Sequence, residues 1–217
     1  MSAPTAGVGT LDWTIDPPEG WLVVPAAATE TSEAISEWEL AVTEAMRGSL
    51  EEQVPDGIEL TDELRAEMVE LVTASIADLR GLADGAALDG ERVVAAFGVS
   101  DRSPVPVLVA VGMSDPGTPD EALLEALGAK GGGAPIAPPN VEYLDLPDGD
   151  GVRVNRVDID EFGGAWITVG LGRRTEYSDA VVDTVLLWRC QDLFMVPLRV
   201  ERLDELLPNI TITRSES

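Results

Sequence analysis

The sequence reads as an α+β protein: a mainly antiparallel sheet of about six to nine strands covered by helices, one pair of which forms an acidic helical hairpin. Three observations give this class. Apolar residues alternate with a period of two near both ends, they recur at helical spacing between residues 32 and 88, and short turn-forming segments join consecutive strand-like runs. We expect one domain over residues 1–217, with the hairpin at 32–88 inside it.

Leu11, Trp13 and Ile15 alternate along Val8 to Ile15 and predict a first strand. Asp16-Pro17-Pro18-Glu19-Gly20 turns the chain into a second, Trp21 to Val24, which Pro25 closes. From Ser32 to Leu50 the stripe Ile35, Trp38, Val42, Ala45 and Met46 marks an amphipathic helix. Gln53-Val54-Pro55-Asp56-Gly57 breaks it. A second helix follows Thr61, an N-cap with Asp62 and Glu63 placed well against the helix dipole, and its stripe is Leu64, Met68, Leu71, Val72, Ile76 and Leu79. It ends at Gly81 or trails through the Gly- and Ala-rich stretch to Gly90.

Arg92 to Val99 and Val105 to Met113 are Val- and Ala-rich, apolar enough for burial on both sides, and pair as a hairpin across Asp101-Arg102-Ser103-Pro104. Thr118-Pro119-Asp120-Glu121 has the form of a capping box opening a short helix to about Gly128. Lys130 to Pro139 is a loop of glycines and prolines. Val141 to Leu146 and Val152 to Asp160 form a hairpin around Pro147 to Gly151, and a phase slip after Val154 predicts a bulge near Asn155-Arg156. Strands at Ala165 to Leu171, Val181 to Cys190 and Phe194 to Val200 follow, then a helical turn at Asp204 to Leu207 and a last alternation at Ile210 and Ile212.

Composition narrows the chemistry. The chain has no histidine, one lysine (Lys130) and one cysteine (Cys190), so most side chains used for proton transfer near neutral pH, for zinc and for nucleophilic attack are missing. A Ser-His-Asp triad is impossible, and Gly112-Met113-Ser114-Asp115-Pro116-Gly117 is out of register for a nucleophile elbow. Cys190, as the single cysteine, cannot form an internal disulfide; it reads as an inert packed thiol and implies no oxidising compartment.

Carboxylate-pair catalysis stays open, because it needs only two suitably spaced acids, but 40 Asp and Glu residues do not single out a pair. Asp148-Gly149-Asp150-Gly151 lacks the later ligands of a calcium loop and reads as a turn. Asp158, Asp160 and Glu161 read as solvent-facing strand residues. Gly170-Leu171-Gly172-Arg173-Arg174-Thr175 partly matches a dinucleotide fingerprint but lacks its third glycine, and reads as a glycine-bearing turn with two arginines. The tryptophans, Trp13, Trp21, Trp38, Trp166 and Trp188, read as core. No catalytic, cofactor-binding or metal-binding residue is singled out, and no cofactor is expected.

A net charge of −26 repels nucleic acid and anionic membranes, so neither is an expected partner. Between Glu30 and Glu91 there are 17 acidic residues against Arg47, Arg65 and Arg80, a local net of −14. Such a surface either solubilises the protein or docks a basic partner. No basic n-region with an apolar h-region precedes Gly9, and no apolar run reaches a membrane span, so a cytoplasmic location is expected. The preference for arginine over lysine, with abundant Ala, Gly, Val, Asp and Glu, suggests a GC-rich genome such as an actinobacterium's, or a salt-adapted one.

Two stretches carry a family resemblance. Leu11 to Trp21, a strand followed by Pro-x-Gly-Trp, and Val181 through Phe194-Met195-Val196-Pro197-Leu198 to Leu207-Pro208-Asn209-Ile210-Thr211-Ile212-Thr213-Arg214-Ser215 resemble the Mog1/PsbP-like superfamily, which includes actinobacterial LpqN-type lipoproteins. The resemblance implies an antiparallel sheet sandwiched by helices and a non-catalytic binding or assembly role. The hairpin at 32–88 departs from the simplest form of that pattern, and no lipoprotein cysteine stands near the N-terminus. The expected function is an accessory or adaptor protein that binds, through its sheet face or its acidic helices, another protein with a basic or apolar surface. The alternative is a carboxylate enzyme or a small-molecule binder using an arginine such as Arg173.

Overall fold

The computed structural model describes residues 10–52, 54–55, 59–96, 104–130, 136–146, 149–160, 162–191 and 196–215. Its contacts divide the chain into two compact units, Glu19–Ala110 and Met1–Pro18 with Val111–Ser217. Both are α+β, and every ladder within them is antiparallel.

In the Glu19–Ala110 unit, β2 (Trp21–Val24), β3 (Arg92–Ala96) and the first half of β4 (Val105–Ser114) form the sheet, with Trp21 opposite Ala96 and Arg92 opposite Val109. The central strand β3 is buried from Val93 to Ala96, which explains its continuous Val/Ala run: both faces are covered, so no alternation is needed. The turn expected at Asp101 to Ser103 lies outside the described residues.

Helices α1 (Ser32–Glu52) and α2 (Asp62–Ala87) form the hairpin the sequence predicts. Thr61, extended at ψ 160°, accepts the Leu64 N–H at 3.2 Å, as an N-cap should. Thr31 does the same for Ala34 at the start of α1, a cap the sequence reading passes over. Helix α2 runs through Gly81 and Gly85, around which a Cβ would meet nothing within 4 Å, and stops before Gly90 at φ +76°. Most of the break between the helices, Gln53 and Asp56 to Ile58, lies outside the described residues.

The hairpin has two apolar clusters. At its base, Leu79, Ala83 and Ala86 of α2 meet Val24, Val93 and Ala95 of the sheet. Farther along, Val42, Met46 and Leu50 of α1 meet Met68, Val72 and Ile76 of α2. Half-buried Trp38 packs against both. Burying a Val or Leu side chain is worth about 1.5–3 kcal/mol, so the second cluster holds the two helices together. Arg80, 14% exposed, locks the base by donating to the Pro25 carbonyl and lying 3.4 Å from Glu39 and 3.8 Å from Asp84. Asp84 in turn accepts the Ala27 N–H at 2.7 Å.

In the other unit, β1 (Thr10–Ile15) pairs with β9 (Ile210–Ser215), Trp13 opposite Ile212. A meander of β5 (Asn140–Leu146), β6 (Gly149–Ile159), β7 (Ala165–Glu176) and β8 (Val181–Cys190) follows the expected hairpins. Its register assigns two faces. Val152, Val154, Arg156, Gly170 and Gly172 point to one side, where short helix α3 (Glu121–Ala126) lies. Arg153, Leu171 and Arg173 point to the other, toward α4 (Val196–Leu206), the 3-10 turn Leu207–Asn209 and the start of β9. Leu203, Leu206, Leu207 and Ile210 from these elements are buried, as are Leu171, Leu186 and Trp188 of the sheet.

Several expectations are corrected. The β6–β7 register is unbroken from Gly151 opposite Arg173 to Ile159 opposite Ala165, so no bulge stands at Asn155-Arg156. Arg156 itself continues the inward phase of Val152 and Val154. The segment Gly170 to Thr175 is the middle of β7, neither a turn nor a fingerprint. Its glycines are needed because a Cβ at Gly170 would lie 2.7 Å from the Leu127 carbonyl oxygen, and one at Gly172 2.9 Å from Leu123. Thr118 does not cap α3, since its hydroxyl donates to the Asp115 carbonyl at 2.7 Å.

The strand expected at Phe194 to Val200 is helix α4 from Val196 onward, while Phe194 and Met195 lie outside the described residues. Its buried Leu203 and Leu206 have helical spacing, and Pro197 sits in the first turn, where a missing N–H costs nothing. Within the Lys130 to Pro139 loop, Gly131 to Pro135 lie outside the described residues, as do Pro147 and Asp148 of the β5–β6 turn. No helix among the described residues is long and apolar enough to cross a membrane.

Candidate functional site

The outer surface of the α1–α2 hairpin follows from the heptad-like placement of its apolar stripe. With Val42, Met46, Val72 and Ile76 turned inward, the remaining positions face solvent, and these are mostly acidic: Glu33, Glu37 and Glu44 on α1, and Glu63, Glu67 and Glu70 on α2 are all exposed. The basic residues do little to offset them there. Arg80 is turned inward to Glu39 and Asp84, Arg47 lies 4.0 Å from its own neighbour Glu51, and Arg65 is exposed with no carboxylate partner among the described residues. Leu40, 63% exposed, sits within the acidic face of α1. At the foot of the hairpin Glu91 has its carboxyl pushed above the ordinary range, by burial first and then by Asp89.

The arginines of the β5–β8 meander are committed to structure. Arg174 makes a two-pronged contact with Asp183, at 2.8 and 2.7 Å, and also reaches the Thr118 carbonyl at 2.9 Å and Asp120 at 3.0 Å, tying the approach to α3 onto the sheet. Hydrogen bonding to Asp183 is the main reason its guanidinium is held more firmly protonated. Arg156 contacts Asp158 at 2.8 and 2.7 Å, and Arg153 bridges Glu142 of β5 and Asp204 of α4. Arg173, the arginine considered for ligand binding, is 7% exposed and donates to the Ile210 carbonyl at 3.1 Å.

The acidic residues at the end of β6 also differ from expectation. Asp158 is the partner of buried Arg156, not a solvent-facing strand residue. Asp160 organises the β6–β7 loop: one carboxylate oxygen accepts the Phe162 N–H at 3.0 Å and the Gly164 N–H at 2.7 Å, and the other accepts the Trp166 indole N–H at 2.9 Å. The indole bond, followed by the Gly164 N–H, draws its pKa below the ordinary carboxylate value. Glu161 lies outside the described residues. Trp166 is half-buried, and the Arg189 guanidinium lies 4.6 Å from its ring centroid. Trp13, Trp21 and Trp188 are buried as core residues, and Cys190 is half-buried at the end of β8.

Sequence reasoning missed the Arg156–Asp158 and Arg174–Asp183 pairs. The first had a local signal: Arg156 continues the inward alternation of Val152 and Val154, and a carboxylate two residues later lies on the same face. The second required the β7–β8 register, in which Arg174 faces Asp183.

No family model matches this sequence, and no curated protein matches it. Among solved structures it is similar to the crystal structure of LpqN, described as involved in cell envelope biogenesis of Mycobacterium tuberculosis. The two share 11% identity at a TM-score of 0.45, over 94% of this chain and 85% of that one.

Proposed function

We propose that this chain is a non-catalytic accessory protein that binds another protein, and that the outer surface of the α1–α2 hairpin docks a basic partner. The observation that carries this reading is the one-sided distribution of charge on the hairpin: exposed carboxylates on both helices, with Arg80 turned inward. A surface of one sign attracts an oppositely charged partner over roughly a Debye length, about 8 Å at physiological salt, and accelerates its encounter. Leu40 within the acidic face supplies an apolar contact of the kind a docked helix or loop covers. The engagement of Arg173 with Ile210 supports this reading over a ligand pocket built around that arginine. Kinship with the Mog1/PsbP-like proteins belongs to the same proposal and rests on the two ends of the chain. The Pro-x-Gly-Trp segment leads into β2, and Ile210 to Ser215 form β9.

The experiment is a tagged pull-down from the organism's own lysate at low and moderate salt, with the wild-type chain and with Glu33→Gln, Glu37→Gln and Glu44→Gln combined. One stoichiometric partner, retained at low salt and lost on neutralising those three acids, is the expected result. A partner that binds the variant as well as the wild type, or none at either salt, removes the proposal.

A further inference from the structure

We propose that Phe162, Trp166 and Arg189, at the β6–β7 end of the sheet, form a second binding site, for a peptide segment of another protein in which an acidic side chain stands beside an apolar one. This site lies in the other unit from the hairpin and does not depend on it.

The patch is built from one carboxylate. Asp160 holds the Phe162 N–H and the Trp166 indole N–H, so the aromatic residue at the loop tip and the ring on the sheet are tied to a common anchor. Gly163 has φ +83°, and a Cβ on Gly164 would lie 2.7 Å from an Asp160 oxygen, so these two glycines let the chain close on the Asp160 carboxylate. The result is a Phe162 that is 89% exposed on a loop held by hydrogen bonds. An aromatic ring in that position offers a large apolar contact with only two side-chain torsions to fix.

Arg189 supplies the second half. In the β7–β8 register it stands opposite Thr168, on the face that carries Trp166, and its guanidinium lies over the Trp166 ring. It makes no hydrogen bond or ion pair with the described residues, whereas Arg153, Arg156 and Arg174 of the same sheet are all held by carboxylates. Nearby Asp160 feels the charge of Arg189, but its oxygens accept from the Phe162, Gly164 and Trp166 N–H groups and it forms no ion pair with that guanidinium. A guanidinium over a ring, with no carboxylate hydrogen-bonded to it among the described residues, fits a carboxylate in a two-pronged contact.

The source of that carboxylate follows from the loop. Capture of a chain terminus uses a nest of backbone N–H groups, and here the Phe162 and Gly164 N–H groups are filled by Asp160. A side-chain carboxylate on a segment running across the patch fits what remains. A polyanion does not, because one guanidinium works against a net charge of −26.

The test uses two probes, acetyl-Leu-Glu-Leu-amide and its isostere acetyl-Leu-Gln-Leu-amide, titrated at physiological salt into the full-length, nitrogen-15-labelled chain. The readout is the Trp166 indole N–H resonance, identified by its absence in Trp166→Phe. The expected result is a saturable shift with the glutamate peptide and affinity at least about tenfold lower for the glutamine peptide. Arg189→Gln should remove the shift, and Phe162→Ser should weaken binding severalfold while the other indole resonances stay in place. No saturable shift up to about 10 mM, equal affinity for the two peptides, or a shift that survives Arg189→Gln would overturn the proposal.

Discussion

At the scale of single residues, two glycines of the same type have opposite roles. Gly170 lets α3 approach β7, with the Leu127 carbonyl oxygen 2.7 Å from where a Cβ would stand, whereas Gly85 lies in helix α2 with nothing within 4 Å. Gly170→Ala is therefore expected to lower stability by about 1–3 kcal/mol through overpacking, and Gly85→Ala to raise it by about 0.5–1 kcal/mol through helix propensity. Urea unfolding of the two variants checks this, and a neutral Gly170→Ala would show that α3 can shift away without cost. Asp160 gives a pH-dependent case. Its folded-state pKa lies below its unfolded value, so it contributes stability that is present above the ordinary carboxylate pKa and lost as pH falls through the lower folded value. The stability gap between wild type and Asp160→Asn should thus be constant above about pH 5 and shrink below about pH 4. A gap that stays constant down to pH 3 would contradict the assigned hydrogen bonds.

Elements are held by pairs whose partners lie far apart in sequence. Arg174 and Asp183 join β7 to β8 and fasten the entry to α3, and both side chains are largely buried. Asp183→Leu leaves the buried guanidinium only the Thr118 carbonyl and exposed Asp120 and is expected to cost about 2–3 kcal/mol, while Arg174→Met combined with Asp183→Leu should recover part of that loss. Purely additive losses in a double-mutant cycle would mean the pair is not coupled. The same distinction between local and distant causes explains what the sequence reveals. Thr61 as an N-cap, the stripes of α1 and α2 and the β5–β6 hairpin are set by neighbours within a few residues, and each is found where the pattern puts it. Gly170 and Gly172 resemble turn glycines in sequence because the atoms that require them, in Leu123 and Leu127, lie more than 40 residues earlier. Helix α4 opens with Val196, Pro197 and Leu198, which in isolation suit a strand, and only burial of Leu203 and Leu206 fixes the helical period. The candidate surfaces divide in the same way: the acidic hairpin is readable as a charge pattern, whereas the Phe162 patch depends on hydrogen bonds to Asp160 and on strand register.

For the whole molecule the dominant quantity is the net charge of −26, with 40 acidic residues against 14 basic. Self-repulsion of this size disfavours the compact state, and salt screens it. Raising KCl from about 20 to 500 mM should therefore raise the thermal midpoint by several degrees, since the Debye length falls well below 10 Å across that range. A flat midpoint would show that the local ion pairs lost to screening offset the repulsion relieved. The route of the chain has a further consequence for its birth. The Glu19–Ala110 unit is complete in one stretch of sequence, but β1, where Thr10 lies opposite Ser215, finds its mate only in β9, on the far side of that unit in the sequence. During synthesis β1 therefore stays unpaired while the whole Glu19–Ala110 unit and the β5–β8 meander are made. A chain interrupted between the two strands would carry an open edge bearing Leu11, Trp13 and Ile15.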